Sequence, residues 1–256
     1  MRGEVYFFPK DFTILAYRMI MSSRRFWLSV ANSAYYILVG VVLNLLLCSL
    51  AAYALSKKHM VFRNEISIFL AITMLFSGGL IPLFILINSL GLYNTRGAII
   101  FSSLYSVWNI IMLRTFFQGI PDSYEESAKI DGAGDLEIMF RIYMPMAKPI
   151  LATLALILAV GYWNSYFDAL IYLQDQSKYP VQLILRSFFV SANNTTFDIS
   201  SMYNAGQTKR AGYTYFEMQL IMQYTIIIIT TVPVVALFLG VQKYFLRGVV
   251  IGGIKG

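Results

Sequence analysis

Five runs of apolar residues without a single charge divide this chain. They lie between Arg25 and Lys57, Glu65 and Arg96, Arg96 and Arg114, Lys148 and Asp168, and Glu217 and Lys243. A helix that crosses a bilayer needs about 20 apolar residues at ~1.5 Å rise each. The runs therefore predict five spans, at 31–55, 66–88, 97–117, 149–173 and 218–242. The sustained two-residue alternation of a membrane barrel is absent from them, so the spans are expected to be helices. Pro82 and Pro233 fall inside spans, where neighbouring helices can satisfy the carbonyls that proline leaves free.

The polar stretches between the runs complete the layout. Residues 1–30 are no signal peptide, because Glu4, Lys10, Asp11, Arg18, Arg24 and Arg25 interrupt every apolar core there. Phe12–Val30 reads either as an amphipathic helix on the membrane surface, with Arg18, Arg24 and Arg25 on its wet side, or as an ordinary connecting helix. The first three spans then occupy 31–118, a polar loop 119–148, the fourth span 149–173, a long loop 174–217, the fifth span 218–242 and a tail 243–256. Lys and Arg divide equally between the two faces, so the positive-inside rule alone does not orient the chain.

Composition narrows the class. Of 256 residues, 58% are hydrophobic and 13% charged, and the mean hydropathy is +0.64. Soluble domains carry about a quarter charged residues, so a soluble enzyme is excluded as firmly as a disordered tail. One Cys and one His leave no disulfide framework and no His/Cys metal site. Cys48 reads as a small buried hydrophobe. The net charge of +7 suits loops beside anionic lipid rather than nucleic acid. The phosphate-binding Gly-x-x-x-x-Gly-Lys-Ser/Thr pattern is missing, and His59, standing alone, completes no nucleophilic triad. Any ATP-driven work would need a partner.

One loop is strongly patterned: GIPDSYEESAKIDGAGDLEIMFRIYMPMAKP, residues 119–149. Ser123-x-x-Glu126 reads as a capping box that opens a short helix, with Ala128 and Ile130 forming a small apolar face. Gly132 and Gly134 permit a tight turn, a second helix is expected over 136–143, and Pro145 and Pro149 are expected to stop it. Such a helix–turn–helix between two spans is either a docking surface or a solvated connector.

Glu126-Ser127-Ala128-x-x-Asp131-Gly132-Ala133, with nine residues between Gly132 and the following Ile142-x-Met144-Pro145, resembles the EAA loop of permease subunits of bacterial ABC importers. Ser127 stands where the usual form has Ala, and Met144 where it has Leu. Trp163-Asn164-x-Tyr166-x-x-Ala169-Leu170 and the ending Gln242-Lys243-Tyr244-Phe245-x-Arg247-Gly248 are similar to the carbohydrate-uptake branch, near the maltose importer's shorter permease and the oligo- and polysaccharide permeases.

The resemblance covers nearly the whole chain and implies an all-α integral membrane protein with the type I ABC importer permease fold. It implies that Glu126, Ser127, Ala128, Ile130, Asp131, Gly132, Ala133 and Pro145 couple the spans to a cytoplasmic ATPase dimer, which holds the ATP and Mg. It implies an ATPase-contacting tail at Gly252, Gly253, Lys255 and Gly256, with loop and C-terminus cytoplasmic in a bacterial plasma membrane. A second, related permease, an external sugar-binding protein and a sugar substrate are the implied partners. Relatives carry six spans, and the likeness begins after their first, near Phe7-Phe8-Pro9, so the family's first helix is expected to be absent here.

Asp168 is the only acidic residue in a predicted span; such groups face an interior or water. With Trp163, Asn164 and Tyr166 it is a candidate for lining a sugar path, Asn164 and Asp168 sharing a face at i, i+4. Trp108 and Asn109 are further candidates, and helix–helix polar contacts are the alternative. The aromatic-rich loop 174–217, with Tyr179, Phe188, Phe189, Phe197, Tyr203, Tyr213 and Tyr215, is a candidate contact for the external protein. A self-sufficient secondary transporter or channel is the competing function, though the chain lacks an internal repeat and a relay of carboxylates. A membrane enzyme or a non-transporting scaffold are the remaining classes.

Overall fold

The computed structural model describes residues 14–76, 78–190 and 215–252; the tail residues Gly253, Lys255 and Gly256, and loop residues Phe197, Tyr203 and Tyr213, lie outside them. The described residues form helices joined by short turns, with no strand among them. Two helices are each long and apolar enough to cross a membrane: α2 (Arg24–Ser56) and α13 (Tyr215–Gly252, apolar over Glu217–Gly240). The remaining expected spans are assembled from broken helices.

The break nearest the N-terminus corrects the surface-helix expectation. A short α1 (Leu15–Ser22) ends at Ser23, whose side chain accepts from the Phe26 amide and so caps α2. Residues 24–30 belong to the long span. Expected span 66–88 is two helices, α3 (Arg63–Leu75) and α4 (Leu80–Ser89). Pro82 falls in the first turn of α4, where its missing N–H would have no helical partner in any case, so no carbonyl needs rescue.

Expected span 97–117 is α5 (Arg96–Ser102) and α6 (Val107–Gln118), bent by 55°. Expected span 149–173 is α10 (Lys148–Trp163) and α11 (Tyr166–Tyr172), separated at Asn164–Ser165. Between α6 and α10 lie α7 (Asp122–Ile130), α8 (Asp135–Ile138), a π-turn (Met139–Tyr143) and α9 (Met144–Met146). α12 (Val181–Val190) precedes α13.

α2 is the axis of the molecule, packing against α6 and α10, while α10 also packs on α13. Its buried face runs Ser29, Ser33, Tyr36, Gly40, Asn44, Cys48, Ala52 and Leu55. These positions recur at three or four residues and, Leu55 apart, are small or hydrogen-bonding. Leu38, Val42 and Leu47 are exposed. In lipid the tails are as apolar as leucine, so small and hydrogen-bonding residues go to the helix contacts. At Gly40 the contact is close enough that an added Cβ would fall 2.6 Å from Tyr162 Cε2 and 2.8 Å from Cε1.

The polar residues of α2 tie down the breaks beside it. Asn44 Nδ2 donates to the Ser103 carbonyl in the α5–α6 break (3.0 Å), and Asn44 Oδ1 accepts from Asn109 Nδ2 (3.2 Å) and from the Cys48 thiol (3.3 Å). The Tyr162 hydroxyl also donates to Ser103 O (3.1 Å). At the end of α2 remote from α7, Asn32 donates to Ser177 O (2.7 Å), Tyr36 to Lys178 O (2.7 Å), and Ser33 Oγ accepts from the Val181 amide (2.9 Å). Asn94, at φ 56°, accepts from the Gln174 and Asp175 amides there.

Candidate functional site

The helix–turn–helix expected over 119–149 forms, with different internal boundaries. α7 starts at Asp122 behind Pro121, and no side chain caps it; the Ser123/Glu126 capping box is not made. Asp122 and Glu125 in the first turn and Lys129 in the last complement the helix dipole instead. At the other end the Ala133 amide donates to Ala128 O (2.9 Å) and the Gly132 amide to Lys129 O (3.1 Å). These paired bonds are a Schellman ending, and Gly132 supplies the left-handed residue it needs, at φ 82°.

The second arm runs over 135–146 rather than 136–143, and Pro145 does not end it. The π-turn carries a Met144 N–H to Met139 O bond, widening the helix just where Pro145 withholds a donor from the Arg141 carbonyl. The chain then turns by 81° at Ala147 into α10. Ala128 and Ile130 do not share a face. Ala128 packs on the core, whereas Ile130 is 86% exposed, as expected for positions about 200° apart around a helix.

The two adjacent glutamates point opposite ways. Glu126 is exposed and, among the described residues, has no hydrogen bond or ion pair; Ser127 is exposed beside it. Glu125 is the buried residue of α7 and accepts from three donors. Lys57, at the C-cap of α2, pairs with Oε2; the Tyr143 hydroxyl donates to the same oxygen (3.1 Å), and Lys129 reaches Oε1 (2.7 Å). The Lys57 ammonium lies 3.9 Å from the Tyr53 ring centroid and 4.3 Å from that of Tyr143. Tyr53, Phe117 and Tyr143 meet edge to face around it.

Burial alone would raise the Glu125 pKa, but the bonds from Lys129, Lys57 and Tyr143 outweigh it and hold the group at about 2. Burial and the bond to Glu125 push the Tyr143 phenol up. Lys58 pairs with Asp122 at the surface (2.8 Å). A cavity of about 340 Å³ opens beside the cluster, lined in part by Lys57, His59, Arg63, Glu126 and Lys129. Glu125, Lys57, Tyr53 and Tyr143 were not singled out from the sequence. The available signals were Glu125 adjoining the motif and Lys57 as the first charge after a 31-residue charge-free run.

The chain matches the family model described as "binding-protein-dependent transport system inner membrane component" over residues 44–251. It belongs to that family. This permease is 36% identical to the polygalacturonan/rhamnogalacturonan transport system permease protein YtcP of Bacillus subtilis (strain 168), over 97% of this chain and 84% of the relative. It is 36% identical to protein LplC of the same organism, over 98% of this chain and 82% of the relative. Its fold superposes on a chain of a bacterial ABC transporter involved in import of the acidic polysaccharide alginate, with a TM-score of 0.85 and 35% identity, covering 95% of this chain and 84% of that one. The all-helical type I permease fold expected from the sequence is thereby shown.

The remaining candidates are scattered. Trp163 is 3% exposed in the core around α1, α12 and α13, and its Nε1 has no partner among the described residues. Asn164 and Tyr166 are exposed, and Asp168 is half-buried. The break at Asn164–Ser165 removes the i, i+4 geometry expected for Asn164 and Asp168. Asn109 is buried against Asn44, and Trp108 is exposed. Gly252 is the last residue of α13. No group of three or more His, Cys, Asp or Glu positioned to hold a metal occurs among the described residues.

Proposed function

We propose that this permease is one of two membrane subunits of an ATP-driven importer, passing a sugar polymer fragment received from an external binding protein. α7 to α9 face the cytoplasm and dock on a partner ATPase, which binds ATP and Mg and hydrolyses the nucleotide. The observation that carries the reading is the division of labour along α7. Glu125 anchors the helix inward, while Glu126, Ser127, Ile130 and Asp131, with Tyr124 and Leu136, are left at the surface. An exposed apolar and acidic helix that is fixed from behind has the make-up of a docking surface.

Pro145 and Gly132 shape the loop from within, and Ala128 and Ala133 pack its base against the core. The tail at Gly252, Gly253, Lys255 and Gly256 is assigned a second contact with the ATPase. Trp163, Asn164, Tyr166 and Asp168 are assigned to the neighbourhood of the sugar path. Galacturonate polymers and alginate, named for the relatives above, are both acidic. A uronate oligosaccharide is therefore the first substrate class to test.

The test is affinity purification of the tagged chain, in mild detergent, from cells expressing the neighbouring genes. Recovery of an ATPase and a second permease is expected. Ile130→Asp should lose the ATPase and keep the second permease, because Ile130 is exposed and packs in none of the buried clusters of the described residues. Recovery of the ATPase undiminished with that variant would remove α7 from the docking surface. Recovery of the wild-type chain alone would refute the importer reading.

A further inference from the structure

α7 is a short helix whose hold on the rest of the protein is narrow. Its buried residue is Glu125, and Ala128 with Ala133 adds a small apolar contact at the far end. Glu125 is bound by two cations, and they do different things. Lys129 lies one turn along the same helix and neutralises the carboxylate without fixing α7 to anything. Lys57 comes from the C-cap of α2, a helix of 33 residues and thus about 50 Å long. Its ammonium is enclosed by Tyr53, one turn back on α2, and by Tyr143 of the π-turn, which itself bonds Glu125.

Lys57 therefore touches all three pieces that would have to move together: the end of α2, α7 and the second arm of the loop. The parallel bond from Lys58 to Asp122 is exposed on both partners and ties weakly.

We propose that Lys57 is a positioning residue for coupling, a tether through which displacement of α7 by the ATPase is passed into α2. The proposal rests on the docking reading above and adds to it the route by which motion enters the membrane. Apolar contacts alone would let α7 slide over the end of α2. A buried ion pair held between two rings keeps its register, because leaving it strands a charge out of water. α2 is suited to carry the motion onward, being unbroken while α5–α6 and α10–α11 are not.

The experiment uses the assembled importer in nanodiscs with a cysteine at Arg24, the exposed first residue of α2 at its other end. The native thiol at Cys48 is fully buried and stays silent. The readout is the maleimide labelling rate at position 24, nucleotide-free and with ATP bound. ATP is expected to change the rate severalfold. In Lys57→Met, where Lys129 and Tyr143 still satisfy Glu125, the ATPase should still co-purify and bind ATP with unchanged affinity, while the change at position 24 disappears. Lys57→Arg, which keeps the cation, should restore most of it.

An ATP-dependent change that persists at wild-type size in Lys57→Met would overturn the proposal. So would loss of the ATPase from the Lys57→Met complex, since the residue would then serve assembly, and so would a Lys57→Arg variant as defective as Lys57→Met. A docked ATPase whose nucleotide leaves position 24 unchanged in the parent chain would also overturn it. Absence of the ATPase from the parent complex would instead strike the docking reading itself.

Discussion

Adding one methyl group at Gly40 offers a sharp measure of how tightly the membrane-spanning helices are packed. Alanine at this position brings a Cβ to 2.6 and 2.8 Å from two ring carbons of Tyr162, well inside van der Waals contact. Tyr162 is 3% exposed and its hydroxyl bonds the Ser103 carbonyl, so the ring has little freedom to swing aside. Overpacking of a filled core costs about 1–3 kcal/mol, and displacing the hydroxyl adds about 1 kcal/mol. The total of about 2–4 kcal/mol corresponds to a fall in Tm of roughly 5–10 °C for a chain of this size.

Thermal unfolding of the detergent-solubilised permease, with Gly40→Ala made in the parent and in a Tyr162→Leu background, measures the effect. With the ring gone, the methyl has room, and alanine is favoured over glycine in a helix by up to about 1 kcal/mol. The substitution should therefore destabilise the parent and be neutral or stabilising in the second background. An equal loss in both would show that the Gly40–Tyr162 contact does not limit packing.

Four further outcomes are expected. Because the Glu125 pKa is depressed to about 2, the stability it contributes is present above the ordinary carboxylate value near 4.5 and drains away as pH falls through about 2; the Tm gap between the parent and Glu125→Gln should close across that window. Gly132→Val should cost about 1–2 kcal/mol and Gly132→Asn far less, read by denaturation, because the left-handed backbone and not space is limiting there. Asn44→Leu takes the acceptor from Asn109 Nδ2 and leaves Ser103 O with the Tyr162 hydroxyl alone, and should cost about 1–2 kcal/mol by the same assay. Asn94→Ala should speed proteolysis within 173–180 severalfold, since the Gln174 and Asp175 amides lose their common acceptor, while leaving ATPase recovery by α7 unchanged.

The charge-free runs by themselves determined that this is an all-helical membrane chain and where its apolar segments fall, because hydrocarbon excludes unpaired backbone and charge whatever the helices later do. The spacing from Glu126 to Pro145 likewise determined the patterned loop and its family, and Gly132 could be read as a turn residue because few others adopt its backbone. Span continuity was decided by the tertiary structure. Hydropathy is blind to breaks at Ser103 and Asn164, whose freed carbonyls are acceptable only where another helix, such as α2 with Asn44, arrives to satisfy them.

The inward face of α2 was hidden for a related reason. In lipid the contact surface is small and polar, so the apolar periodicity that marks a buried face in water marks nothing here. Capping followed the same pattern, with Pro121 and the helix dipole replacing the expected box. The role of Glu125 was settled by distance along the chain. Its partners Lys57 and Tyr143 lie 68 residues before it and 18 after it, and only packing at the end of α2 makes a buried anchor of one glutamate and an exposed surface group of the next.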